Sequence, residues 1–115
     1  MKREVLEQYS EYFNNQKGQN YPCSNQVVLC GIVTDDRDKA IEFMKDKEFV
    51  EKRERYNQID WILANGERWL WRIWYANCRG YRFYKIAIDE NISDKIFDNL
   101  IKPSCVSYCC SMEII

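Results

Sequence analysis

The chain opens with an apolar stripe of helical period. Val5, Leu6, Tyr9, Tyr12 and Phe13 fall at i, i+1, i+4, i+7 and i+8, which predicts an amphipathic helix over 4–15. Gly18 ends that pattern, and 17–25 reads as a loop. Positions 26–33 then form a nearly continuous apolar run rich in β-branched residues, the pattern of a strand buried on both faces. Thr34, Asp35 and Asp36 follow it, supplying N-cap residue types and acidic charge for a helix over 37–47. Its inner positions are Ala40, Ile41 and Met44, with Phe43 beside them.

The second half of the chain changes to strand period. Segment 49–56 is mostly charged but carries Val50 and Tyr56, and reads as an exposed edge strand. Segments 59–64 and 68–75 flank Asn65-Gly66, a hairpin signal whose type I′ turn needs left-handed backbone at both positions. In the second arm, alternation places Trp69, Trp71, Ile73 and Tyr75 on one face and Arg68, Leu70, Arg72 and Trp74 on the other. The first face is expected in the core, leaving Arg68, Arg72 and Trp74 exposed. A turn at 77–80 leads to a strand over 82–88. Ser93 caps a helix over 94–101, with Ile96, Phe97, Leu100 and Ile101 inward and Pro103 stopping it. Segment 106–114 can form a last strand. The order α-β-α-β-β-β-β-α-β predicts an α/β fold: a mixed central sheet with covering helices, including a hairpin at 59–75.

Composition bounds this picture without naming a function. The 115 residues fit a single domain, and 46% hydrophobic residues, with four Trp and eight Tyr, are enough for a core. The formal net charge of −1 provides no overall field toward nucleic acid or a membrane surface. The first residues, Met1-Lys2-Arg3-Glu4, lead into a polar amphipathic stretch of no signal-peptide type. No apolar run approaches membrane-spanning length. A cytoplasmic chain with mostly reduced cysteines is expected. There is no His, so neither a Cys-His nor a Ser-His-Asp nucleophile can form. Cys105, Cys109 and Cys110 lack zinc-ligand spacing.

Three groups could carry chemistry. The 68–85 segment holds Arg68, Arg72, Arg79, Arg82 and Lys85 with aromatic residues interleaved, and the one acid beside it is Glu67, just before its start. Cations beside rings suit a protein surface or, less favourably here, single-stranded nucleic acid. The binding candidates are Arg68, Arg72, Trp74, Arg79 and Arg82. If strands 26–33 and 82–88 are parallel neighbours, Asp35, Asp36 and Asp38 approach Asp89 and Glu90. An alternative reading then takes Asp35, Asp89 and Glu90 as ligands for Mg²⁺ or Mn²⁺ in a metal-dependent phosphoesterase.

The third group is a family likeness. Arg79-Gly80-Tyr81-Arg82, running on to Ile86-Ala87-Ile88-Asp89-Glu90, resembles the RG-x-R and IIIDE stretch of phage terminase large-subunit ATPases. Val27-Val28-Leu29-Cys30-Gly31 resembles the strand entering that family's phosphate loop, and 60–66 resembles the hairpin between the two motifs; the likeness spans 26–101 in order. It implies a P-loop type core in which Asp89 holds Mg²⁺ and Glu90 polarises the attacking water. Gly31, however, is followed by Ile32-Val33-Thr34-Asp35-Asp36-Arg37-Asp38-Lys39. The second Gly and the Gly-Lys-Ser/Thr are missing, and three carboxylates stand where phosphates would dock. The expectation is therefore no ATP hydrolysis and no cofactor. The resulting reading is a small non-catalytic binding protein of a phage or mobile element. It would occupy a host protein, in the sharpest version as an inhibitor of an antiviral system. The alternative is a Mg²⁺-dependent enzyme acting on nucleotides or nucleic acid.

Overall fold

The computed structural model describes residues 3–14, 28–74, 83–101 and 111–115. Helix α1 is Arg3–Asn14, strand β1 Val28–Val33 and helix α2 Arg37–Met44. Three consecutive strands follow: β2 Phe49–Arg55, β3 Gln58–Leu63 and β4 Glu67–Arg72. Strand β5 is Lys85–Ile88. Helix α3, Asp94–Ile96, continues through Phe97–Ile101 in wider turns, and β6 is Ser111–Ile114. The six strands form one sheet in the order β2-β3-β4-β1-β5-β6. Strands β4, β1, β5 and β6 run parallel, whereas β2 and β3 are antiparallel neighbours on one side. The mixed α/β sheet expected from the sequence is present, with β1 and β5 as parallel neighbours and β2 on the edge.

The hydrophobic pattern explains which faces are covered. On β1, Cys30 and Ile32 point one way and pack with Trp61, Trp69, Trp71 and Ala87 beneath Ala40 and Met44 of α2. Val33 points the other way and packs with Ile86, Ile88 and Met112 beneath Leu6 of α1, together with Phe97 and Ile92. A strand between two apolar layers must be apolar throughout, as the run at 28–33 is. Helix α2 starts where Asp36, in extended backbone, accepts from the Asp38 and Lys39 amides. Ser93 caps α3 through the Ile96 amide. In α1, Leu6 is buried and Tyr9 packs on Phe97, whereas Tyr12 is exposed. The stripe is narrower than its periodicity implied, because the helix meets the sheet mainly at β6.

Two expectations need correction. The turn at Asn65-Gly66 is not type I′. Among the described residues only Gly66, at φ 91°, is left-handed. Its amide donates to the Leu63 carbonyl at 3.1 Å, and Asn65 Oδ1 accepts from the Glu67 amide at 3.0 Å. A three-residue connection, 64–66, needs one left-handed residue at its end, where type I′ needs two in its middle. The second concerns Trp74. Strand β4 ends at Arg72, Trp74 is 3% exposed in the α1-side core, and Ile73 is the exposed neighbour. Alternation holds only within the pleat of β4, and Trp74 lies two residues beyond its end.

Candidate functional site

The resemblance points to the acidic end of the parallel strands. Asp89 follows β5 directly and is buried. Thr34 Oγ1, at the end of β1, donates to Asp89 Oδ2 at 2.7 Å. Lys39 Nζ of α2 and the Asn91 amide donate to Asp89 Oδ1 at 3.0 and 2.9 Å. Burial raises the Asp89 carboxyl, but the bonds from Thr34, Asn91 and Lys39 outweigh it and hold the group below the usual carboxylate range. The Lys39 ammonium is thus the charge partner of Asp89. Glu90 turns away to Arg3 Nη1 at 2.9 Å, and Asp35 is exposed.

Asp35, Asp89 and Glu90 thus do not converge. Among the described residues no group of three or more Cys, Asp or Glu is placed to hold a metal ion. At the start of α2, Thr34 Oγ1 accepts from the Asp36 amide at 3.0 Å, and Asp36 Oδ1 accepts from the Asp38 and Lys39 amides. A Cβ on Gly31 would lie 2.8 Å from the Phe83 ring, so its bare backbone is where Phe83 seats against β1.

The basic strand is different. Arg68 and Arg72 of β4 do share a face, and both reach Asp60 of β3. Arg68 Nη2 donates to Asp60 Oδ2 at 2.9 Å, and Arg72 Nη1 to Asp60 Oδ1 at 2.6 Å. Arg72 Nη1 also contacts the carbonyls of Ile59 and Trp71. Asp60 is only 5% exposed, whereas the side chains of Arg68 and Arg72 are 39% and 17% exposed. Burial raises the Asp60 carboxyl, yet the hydrogen bonds and charges of the two guanidinium groups bring it below its ordinary value. Arg68 Nε is shielded from solvent without a hydrogen-bond partner, which costs on the order of 1–3 kcal/mol.

Register adds two more cations. Arg53 pairs with Asp60, and Arg55 pairs with Gln58, which in turn pairs with Arg72. Directly paired residues share a face. Arg53, Arg55, Arg68 and Arg72 therefore lie on one side of the β2-β3-β4 wing, opposite the Trp61-Trp69-Trp71 layer. Arg53 Nε is bonded to Glu51 at 2.9 Å, and Arg55 is exposed. Four guanidinium groups face two carboxylates there.

Trp74 does not belong to this surface. Its Nε1 donates to the Ile32 carbonyl at 2.8 Å and its ring meets Phe83 edge-on at 5.8 Å. Trp71 is anchored likewise, to the Thr34 carbonyl at 3.0 Å. Arg79 and Arg82 lie outside the described residues. The sequence reading missed Lys39, Arg53, Arg55 and the central Asp60. Asp60 did carry a signal, since a lone acid between Ile59 and Trp61 in a strand must have cationic neighbours if its face is buried. Comparison with protein-family models, with curated proteins and with solved structures returns no match.

Proposed function

We propose that this chain is a non-catalytic binding protein that docks on an acidic surface of another protein through the basic face of the β2-β3-β4 wing. The observation that carries the reading is the Arg68-Asp60-Arg72 clamp with Arg53 and Arg55 in the adjoining rows. One carboxylate orients two guanidinium groups, which retain donors for planar, multidentate contacts. The unpartnered Arg68 Nε indicates that this arrangement is not optimised for the isolated chain. Protein is favoured over single-stranded nucleic acid because Trp69, Trp71 and Trp74 are buried and offer no stacking rings beside the arginines. Weighing against the enzyme is Asp89, whose carboxylate is already engaged by Lys39 and Thr34.

The terminase-like run at 79–90 extends the proposal to origin: a phage or mobile-element protein acting by occupying a host protein, with an antiviral system as the most specific target. The test is a quantitative pull-down from bacterial lysate comparing the wild type with Arg53→Gln/Arg68→Gln. Arg72 still neutralises Asp60 in that variant. A partner retained about tenfold less by the variant, at unchanged melting temperature, supports the reading. Equal capture by both forms sinks it, as does Mg²⁺-dependent nucleotide turnover that disappears in Asp89→Asn.

A further inference from the structure

The two edges of the sheet are treated differently. At β6, both backbone groups of Met112 are engaged by α1: Ser10 Oγ donates to its carbonyl at 2.6 Å, and Asn14 Oδ1 accepts from its amide at 3.2 Å. At β2 all seven residues are exposed. Apolar side chains flank its charged centre, with Val50 70% exposed and Tyr56, just beyond the strand, 90%. An edge carrying charge of one sign repels its own copy. This edge mixes its signs through Glu51, Lys52, Arg53, Glu54 and Arg55, past a register shift between Phe49 and Glu51.

We propose that β2 pairs antiparallel with β2 of a second copy of this chain, about a two-fold axis at Arg53. That register sets Lys52 opposite Glu54 of the second copy, Glu51 opposite Arg55 and Val50 opposite Tyr56. These three pairs are opposite in charge or apolar, and each occurs twice by symmetry; the one like-charge pair is Arg53 with itself on the axis. The faces agree too. Lys52 and Glu54 lie on the Trp61-Ile59 side, and Glu51, Arg53 and Arg55 on the Asp60 side. Arg53 meets its own equivalent at the axis, and each is held by its own Glu51 at 2.9 Å. Neighbouring registers set like charges together or an apolar side chain against a charged one. A one-residue slip sets Glu51 against Glu54 and Lys52 against Arg53 in one direction, and Lys52 against Arg55 in the other. A two-residue slip toward the carboxyl end sets Arg53 against Arg55. The opposite two-residue slip sets Val50 against Glu54 and Phe49 against Arg55. Pairing in the proposed register joins two six-stranded sheets into one and places both Arg68-Asp60-Arg72 clamps on the same side.

Sedimentation velocity on the purified full chain tests this. The wild type at about 100 µM in low salt should sediment as a dimer, and about 1 M NaCl should shift it toward monomer. Glu51→Arg or Arg55→Glu alone should weaken association about tenfold, because each turns two attractive pairs into repulsive ones. The double exchange Glu51→Arg/Arg55→Glu should restore it. Far-UV circular dichroism and melting temperature, unchanged across the set, separate loss of pairing from loss of fold. As a register test, Arg53→Cys should oxidise to a covalent dimer linked at position 53, within the Cα spacing a disulfide spans, while Glu51→Cys should not. A wild type that stays monomeric at that concentration overturns the proposal. So does a dimer indifferent to both reversals, or a cross-link that forms equally at 51.

Discussion

The half of the sheet formed by β1, β5 and β6 and the half formed by β2, β3 and β4 each bury a carboxylate, but only one of them is closed. In the first half, Asp89 is surrounded by Thr34, Lys39 and the Asn91 amide, and apolar layers cover both faces. The terminal strand there is tied to α1. In the second half, α2 and the Trp layer cover one face only. The other carries the Arg68-Asp60-Arg72 clamp, and the terminal strand β2 is exposed along its length. The resemblance to an ATPase pointed to the closed half, where Asp89 is bonded by Thr34, Lys39 and the Asn91 amide. The open half retains cationic donors and, among the described residues, an edge strand with no neighbour on its outer side. A buried charge fully bonded within its own chain is part of the architecture, whereas one that orients partly exposed guanidinium groups can recognise something else.

The sharpest way to break the closed half is Trp74→Ala. This removes a buried indole, its bond to the Ile32 carbonyl and its edge contact with Phe83, and should destabilise the fold by about 3–4 kcal/mol in urea titration. A loss under about 1 kcal/mol would place Trp74 outside the core.

A smaller effect is expected in the open half. Asp60→Ala leaves two guanidinium groups without their carboxylate and should cost about 2 kcal/mol, less than for a fully buried pair because Arg68 still meets water. Asp60→Asn sharpens the comparison through pH. The Asp60, Glu67 and Asp89 carboxyls are all lowered in the fold, where the bonds they accept outweigh burial. Their contribution is therefore complete above the ordinary carboxylate value of about 4 and is lost as pH falls through the lower folded values. Melting temperature should drop below about pH 4 in the wild type and less steeply in Asp60→Asn. Parallel profiles would remove Asp60 from the acid transition.

The smallest effect belongs to the protected edge. Ser10→Ala deletes the bond to the Met112 carbonyl and should cost about 1 kcal/mol. It should also speed amide exchange in β6 while leaving β2 unchanged. Equal change at both edges would show that α1 does not shield β6 selectively.

Much of this architecture could be read from local pattern. The apolar run at 28–33, the caps Asp36 and Ser93, the charged edge strand and the hairpin about Gly66 are each set by interactions within a few residues, where period and turn chemistry act. The shared face of Arg68 and Arg72 followed from the same alternation. Their common partner did not, because it depends on which residue of β3 stands opposite, and pairing register is a non-local quantity. Trp74 shows where periodicity stops. Two residues past the end of β4 the chain leaves the pleat, and the ring goes where Gly31 leaves room for Phe83 and where the Ile32 carbonyl is free to accept. At Asp89 the sequence determined that an acid ends an apolar strand. Only the tertiary structure decided that Lys39, fifty residues earlier, would neutralise it, because a salt bridge depends on distance in space and not along the chain.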